Sequence, residues 1–179
     1  MEKILLAGFG GQGVLSLGQI LAYAAMTEGK EVSWLPSYGP EMRGGTANCS
    51  VIISEKPIAS PIVARPTLLV AMNGPSLVKF EDKVVSGGVI IVNSSLIERK
   101  VTRSDVKAYY IPANDLAIRC GTARAANIVM YGAINSHCKI LQPESVHKGL
   151  EYAFKKKPRL IPMNEVAYRA GFEAVEQHD

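Results

Sequence analysis

A glycine-rich stretch near the N-terminus is the part of this sequence best suited to holding an anion. It reads Gly8-Phe9-Gly10-Gly11-Gln12-Gly13, after an apolar run at 3–7 and before a helical pattern that begins near Val14. The start of a helix presents main-chain N–H groups without intrahelical partners and carries partial positive charge. Glycine lets the chain turn sharply and approach a phosphate closely. The stretch therefore predicts a phosphate or pyrophosphate site, with a purely structural glycine turn as the alternative.

A dinucleotide site of the Rossmann type requires more than this loop. The spacing of Gly8, Gly10 and Gly13 fits the fingerprint, but an acidic residue is also expected about 20 residues further on, at the end of the second strand. The end of the predicted second strand reads Trp34-Leu35-Pro36-Ser37-Tyr38 and contains neither Asp nor Glu. This absence weakens the NAD interpretation and leaves the phosphate interpretation open.

Other residue types that carry chemistry show no catalytic or metal-binding pattern. The sequence has neither a Gly-x-x-x-x-Gly-Lys-Ser/Thr loop nor a Gly-x-Ser-x-Gly elbow. Its three histidines lie late in the chain on predicted helices, and no acid or thiol partner is visible from their spacing. Its three cysteines lack CxxC spacing, which argues against a disulfide framework, a zinc site or an iron–sulfur cluster. The residues concerned are His137, His147, His178, Cys49, Cys120 and Cys138. We therefore expect no catalytic residue and no metal site in this chain.

Bulk properties describe an ordinary globular protein. With 179 residues, 47% of them hydrophobic, we expect a single domain over 1–179. The net charge of +4 is scattered apart from the basic run at 155–159, which is too short to indicate nucleic-acid binding. No apolar stretch reaches the ~18 residues of a membrane span, and Met1-Glu2-Lys3 leads directly into a strand pattern. We expect a cytoplasmic protein without a signal peptide.

Strand and helix patterns mostly alternate along the chain, which is typical of an α/β fold. Apolar runs at 3–7, 67–72 and 89–92 predict buried strands. An apolar stripe predicts a helix from Val14 that ends at Gly29. Gly18, inside that helix, predicts close packing of the helix against a strand.

The region after this helix sets the expected sheet topology. Residues 31–35 alternate and predict a second strand, placed parallel to the first in a β-α-β unit. Residues 36–45 contain two prolines and three glycines and predict a loop. Residues 46–54 predict an antiparallel strand with one face against the core and one face wet or at an interface. We therefore expect a Rossmann-like three-layer α/β/α sandwich with a mostly parallel mixed sheet.

Two stretches together resemble one protein family. The first is the glycine-rich stretch 8–13, and the second is Pro36-Ser37-Tyr38-Gly39-Pro40-Glu41-Met42-Arg43-Gly44-Gly45, followed by Thr46-Ala47-Asn48. This combination resembles the gamma subunit of 2-oxoacid:ferredoxin oxidoreductases, which act on pyruvate, 2-oxoglutarate or 2-oxoisovalerate. The likeness extends over nearly the whole chain, through Asn127 and on to Gly171. The form of the second stretch most resembles the 2-oxoglutarate members.

The resemblance implies a role in a larger enzyme. Such enzymes decarboxylate a 2-oxoacid on thiamine diphosphate, pass electrons through [4Fe-4S] clusters to ferredoxin and form an acyl-CoA. It implies that thiamine diphosphate belongs to the alpha and beta subunits and the clusters to a ferredoxin-like subunit or to beta, with delta as a further candidate partner. It also implies that this chain binds no cofactor tightly and is not catalytic alone.

The resemblance further implies that the gamma domain helps to hold coenzyme A. We expect the main-chain N–H groups of Gly8 to Gly13, chiefly Gly10, Gly11, Gln12 and Gly13, to meet the CoA diphosphate. The side chains of Gln12 and Arg43 are expected to add donors, with Asn48 and Asn127 as weaker candidates. Arg43 could equally pair with Glu41 or with a carboxylate of the alpha subunit. A stand-alone Rossmann-like nucleotide-binding module and a non-catalytic scaffold subunit remain as alternatives.

Overall fold

The computed structural model describes residues 1–38 and 45–176. Arg43 and the rest of the 39–44 segment lie outside the described residues, as does His178. The strands of the described part are β1 (Glu2–Phe9), β2 (Glu31–Tyr38), β3 (Thr46–Ser54), β4 (Leu68–Ala71), β5 (Val89–Asn93) and β6 (Lys107–Ile111). The helices there are α1 (Val14–Thr27), α2 (Gly74–Phe80), α3 (Ala113–Arg119), α4 (Ala126–Cys138), α5 (Pro143–Ala153) and α6 (Ile161–Glu176).

One mixed sheet joins all strands of the described residues in the order β2-β3-β1-β4-β5-β6. The pairs from β1 to β4, β5 and β6 are parallel, while β3 is antiparallel to both β1 and β2. The expected antiparallel strand at 46–54 is therefore confirmed. Strand β2 runs in the same direction as β1, as expected of a β-α-β unit, but the two are not hydrogen-bonded to each other because β3 lies between them. Val51, Ile52 and Ile53 suit an interior strand, since their side chains alternate between the two faces of the sheet and are all buried.

Strand β2 extends further than the sequence predicts. Pro36 to Tyr38 were expected in a loop, but Pro36 is paired with Cys49 of β3 and Tyr38 with Ala47. Proline has no main-chain N–H to donate. A strand therefore tolerates it only where its nitrogen does not face a hydrogen-bonded neighbouring strand, as at the edge of a sheet. β2 is the edge strand of the sheet, and this position accommodates Pro36.

Helices cover the two faces of the sheet unequally, in the expected three-layer arrangement. On one face Ile4, Leu6 and Val51 pack with residues of α1, α3, α4, α5 and α6. On the other face Leu5 and Ala7 pack with α2 and with the 97–110 region. Most of the helical mass thus lies on the side reached by α1.

Gly18 has the packing role that the sequence predicts. A Cβ atom at this position would lie 2.6 Å from Cys49 Sγ and 2.8 Å from Trp34 Nε1. Glycine therefore lets α1 approach β2 and β3 closely. Across the described residues, no helix has the length and apolar character needed to cross a membrane.

Candidate functional site

The glycine-rich stretch forms the turn from β1 into α1, as predicted. Gly11 has φ +92° and Gly13 has φ +73°, in the left-handed region that favours glycine. Gly8 has another constraint, because a Cβ atom there would lie 2.6 Å from Gln12 Oε1 and 2.8 Å from Met72 Cβ. Backbone conformation and packing thus both require glycine in this loop.

The side chain of Gln12 holds the loop in shape. Its Oε1 accepts a hydrogen bond from the Phe9 main-chain N–H at 2.7 Å. Its Nε2 donates to the Met72 main-chain oxygen at 3.2 Å, beyond the end of β4. An amide nitrogen carries two hydrogens, so one remains for a ligand. Gln12 therefore fixes the loop to the neighbouring strand as well as lying at the candidate site.

Main-chain donors of the loop divide into two groups. The Gly10 N–H donates to the Gly45 oxygen at 3.3 Å, and the Gln12 N–H donates to the Phe9 oxygen at 3.2 Å. The N–H groups of Gly11 and Gly13 make no hydrogen bond within residues 1–38 and 45–176. These last two groups are the donors best placed to meet an anion.

The two candidate asparagines lie on different sides of the sheet. Asn127, at the start of α4, donates from Nδ2 to the Gly13 oxygen at 3.3 Å and so touches the loop. Asn48 lies on β3 opposite Ala7 and Ser37, on the face away from α1. The structure therefore brings Asn127, but not Asn48, to the glycine loop.

A cavity of about 210 Å³ opens beside the loop. One of its lining residues is a cationic side chain, Arg124, which the sequence patterns did not indicate. The cavity lining comprises Gly11, Gln12, Met72, Asn114, Ala123, Arg124 and Ala126. Arg124 is exposed and forms no ion pair within the described part of the chain. A guanidinium in the same cavity as the Gly11 N–H, which is unpaired within that part of the chain, suits a phosphate.

Arg124 owes its position to the structure just before α4. The sequence predicts one helix over 123–137 capped by Thr122, whereas the structure has a 3-10 turn over Ala123–Ala125 before α4 begins. The cap itself is confirmed, since Thr122 Oγ1 accepts from the Arg124 N–H at 3.2 Å. This tight turn places Arg124 at the cavity. The one sequence signal for this position was a basic residue two positions after the Thr122 cap.

Burial makes the thiols of Cys49 and Cys138 unreactive. Cys49 is fully buried beneath α1, and burial raises the pKa of its thiol to about 12. Burial likewise raises the pKa of Cys138 to about 12. Both thiols are therefore neutral at physiological pH and poor nucleophiles. Among the described residues no cluster of His, Cys, Asp and Glu is arranged to hold a metal ion.

Comparison with known proteins decides the family. Residues 3–174 match the family described as pyruvate ferredoxin/flavodoxin oxidoreductase. The chain belongs to this family. The resemblance drawn from the glycine-rich and Arg-Gly-Gly stretches is thereby confirmed.

Relatives in this oxidoreductase family differ in length and substrate name. The chain is 44% identical over 172 residues to the ketoisovalerate oxidoreductase subunit VorA of Methanothermobacter thermautotrophicus, covering 96% of this chain and 36% of VorA. It is 35% identical over 179 residues to the 2-oxoglutarate synthase subunit KorC of Methanocaldococcus jannaschii, covering 98% of this chain and 95% of KorC. The chain thus spans about a third of VorA and nearly all of KorC.

Solved structures in the same oxidoreductase group share the fold. The gamma subunit of a keto/oxoacid ferredoxin oxidoreductase from Geobacter sulfurreducens superposes with a TM-score of 0.86 at 28% identity, covering 99% of both chains. A 2-oxoglutarate:ferredoxin oxidoreductase from Magnetococcus marinus, with 2-oxoglutarate, coenzyme A and succinyl-CoA bound, gives 0.89 at 25% identity over 99% of this chain and 32% of that one. The expected α/β architecture is confirmed.

Proposed function

We propose that this chain is the gamma subunit of a multi-subunit enzyme that oxidatively decarboxylates a 2-oxoacid to an acyl-CoA and passes electrons to ferredoxin. Its partners are alpha and beta subunits, with delta as a further candidate, and these carry thiamine diphosphate and [4Fe-4S] clusters. The chain works as a single domain over 1–179 in the cytoplasm, away from nucleic acid and membrane. Its contribution is to help hold coenzyme A.

The observation that carries the CoA proposal is the shared cavity of the glycine loop and Arg124. The N–H group of Gly11, the amide side chain of Gln12 and the Arg124 guanidinium supply donors and positive charge to this cavity. The N–H group of Gly13 follows in the same loop. A diphosphate needs this combination. The Magnetococcus marinus relative, solved with coenzyme A bound, supports CoA over other diphosphates.

The sheet order argues against a stand-alone NAD-binding module. In that class an acid at the end of β2 reaches the ribose because β2 lies next to β1. Here β3 separates them, and two strand spacings of about 4.8 Å put β2 about 10 Å from β1. The end of β2 also offers no acid.

A polar sheet face favours a docking role alongside CoA binding. Thr46, Asn48 and Ser50 are half-buried on the face of β3 away from α1, and Leu35 beside them on β2 is 41% exposed. On that face α2 packs chiefly against β1 and β4. A partner subunit that covers β2 and β3 would bury these side chains.

Titration of the assembled enzyme with CoA and with NADH tests the proposal. We expect CoA binding that weakens on Arg43→Ala, and no comparable binding of NADH. Unchanged CoA affinity in Arg43→Ala and Gln12→Ala enzymes would support the scaffold role instead. Micromolar binding of NADH to the isolated chain would restore the nucleotide-binding module.

The 2-oxoacid itself is a separate proposal. The form of the 35–45 stretch favours 2-oxoglutarate, whereas the 44% identity to VorA favours ketoisovalerate. A panel of 2-oxoacids with a viologen electron acceptor, run on the co-purified complex, distinguishes the two.

A further inference from the structure

A second, larger cleft lies among the last three helices. Its volume is about 580 Å³, within the range of roughly 300–1,000 Å³ that small-molecule pockets occupy. None of its lining residues belongs to the cavity beside the glycine loop. The cleft therefore needs an explanation of its own, independent of CoA.

Two helices present matching faces to this cleft. From α5 it is lined at positions 143, 146, 147 and 150, and from α6 at positions 165, 168, 169 and 172. Both sets follow the spacing of three and four residues that places side chains on one helical face. Val146 and Leu150 are buried, and Phe172 is partly buried. The cleft thus has an apolar floor.

Tyr168 supplies a hydrogen-bond donor to the cleft. Its hydroxyl oxygen accepts from Asn135 Nδ2 at 2.8 Å. Asn135 is otherwise occupied by the main chain of Leu141, at 3.1 Å and 2.9 Å. The hydroxyl hydrogen of Tyr168 has no acceptor in the described part of the chain. Burial raises the pKa of Tyr168, so the hydroxyl stays protonated and can donate.

Two cations at the rim of the cleft have no acidic partner in the described part of the chain, whereas its acid, Glu165, contacts a histidine. His147 Nδ1 lies in hydrogen-bond contact with Glu165, and its Nε2 lies 3.4 Å from Glu151. No acid partner was predicted for this histidine, yet Glu151 lies four residues further on in the same helix, and the fold adds Glu165 from α6. Arg169 and Lys139 also line the cleft, are exposed and form no ion pair within residues 1–38 and 45–176.

We propose that this cleft binds a small monocarboxylate with an aliphatic or aromatic tail. The carboxylate lies between the Arg169 guanidinium and the Tyr168 hydroxyl, with Lys139 adding positive charge. The tail lies on Leu150 and Phe172. An anion is favoured over a cation because Glu165 already contacts His147, whereas Arg169 lacks an acid. A carboxylate is favoured because a guanidinium and a hydroxyl can both donate to its oxygens.

Calorimetric titration of the full chain with sodium octanoate tests this proposal, with 1-octanol and octylammonium as probes of matched length. We expect octanoate to bind about tenfold more tightly than either probe. Arg169→Gln should weaken octanoate at least about fivefold and leave 1-octanol within about twofold. Arg159→Gln, at an exposed arginine outside the cleft, is the matched control and should change neither.

Amide chemical shifts locate the binding independently of affinity. We expect octanoate to shift the amides of residues 165–172 and 139–150, and not those of residues 8–13. The proposal is overturned if octanoate fails to bind, if 1-octanol binds as tightly, or if Arg169→Gln has no effect. It is also overturned if the shifts map elsewhere.

Discussion

Asn127 Nδ2 donates a hydrogen bond to the Gly13 main-chain oxygen at 3.3 Å, across 114 positions of sequence. The start of α4 is therefore attached to the end of the glycine loop. The same contact leaves no room for a side chain at Gly13, where a Cβ atom would lie 2.5 Å from Asn127 Nδ2. The conformation of the glycine loop and the packing of α4 therefore depend on each other.

Gly13→Ala should destabilise the protein by about 3 kcal/mol or more, measured by urea unfolding. The left-handed backbone and the contact with Asn127 both contribute. Gly11→Ala is the matched control, because Gly11 has φ +92° but nothing within 4 Å of its Cβ position. It should cost only the backbone strain, about 1–2 kcal/mol.

The double variant Gly13→Ala/Asn127→Ala separates the two contributions. Removing the Asn127 side chain relieves the contact, so the double variant should lose at least about 1 kcal/mol less than the sum of the single variants. Strict additivity would show that α4 does not constrain the loop as described.

Gly132 and Gly171 should tolerate no side chain. A Cβ atom at Gly132 would lie 1.9 Å from the Tyr168 oxygen, and one at Gly171 would lie 1.8 Å from the Val129 oxygen. Since these neighbours are main-chain atoms, α4 and α6 must separate to admit alanine. Gly132→Ala or Gly171→Ala should each cost about 4 kcal/mol or more.

Thermal and urea unfolding measure this effect, with Gly74→Ala as the control. Gly74 has open space at its Cβ position and no positive φ, so alanine there should be close to neutral. Near-neutral behaviour of Gly132→Ala would contradict the close packing of α4 on α6.

Glu81 should make stability depend on pH in the acid range. Burial tends to raise the pKa of this carboxyl, but hydrogen bonds from Thr102 and Arg99 outweigh it and hold the pKa below its usual value. A lowered folded-state pKa stabilises the protein above the unfolded-state pKa, and the contribution is lost as pH falls through the folded-state pKa. Glu81→Gln should therefore cost about 3 kcal/mol at pH 7 and progressively less below about pH 4.

Urea midpoints at a series of pH values between neutrality and acid check this prediction. Glu173→Gln, at an exposed position on α6, is the control and should follow the parent protein throughout. A Glu81→Gln deficit that stays constant down to the most acid pH would contradict the linkage.

Local patterns were enough to predict much of the fold. Strand β1, the glycine turn and α1 follow one another in sequence, and their periodicity and glycines specify them without distant partners. The antiparallel character of β3 also followed from its alternating polar and apolar residues. The order of the sheet did not, because inserting β3 between β1 and β2 depends on contacts between distant segments.

The candidate site was predictable in part for the same reason. Gly11 and Gly13 were identified from the turn they form. Arg124 was missed because its position after the Thr122 cap was the available signal, and that signal does not show that the start of α4 lies beside the glycine loop. For His147 the prediction of no acid partner overlooked Glu151 at i+4, and the second acid, Glu165, reaches it only through the packing of α6 on α5.

The most direct test of the account compares CoA with pantetheine, which lacks the diphosphate, in the assembled enzyme. Arg124→Gln should weaken CoA binding by about tenfold and leave pantetheine unchanged, because the guanidinium acts on the phosphates. Arg119→Gln, at an exposed arginine of α3 outside the cavity, is the control. Equal affinity of the parent and Arg124→Gln enzymes for CoA, or an equal loss for pantetheine, would contradict a diphosphate site at the glycine loop.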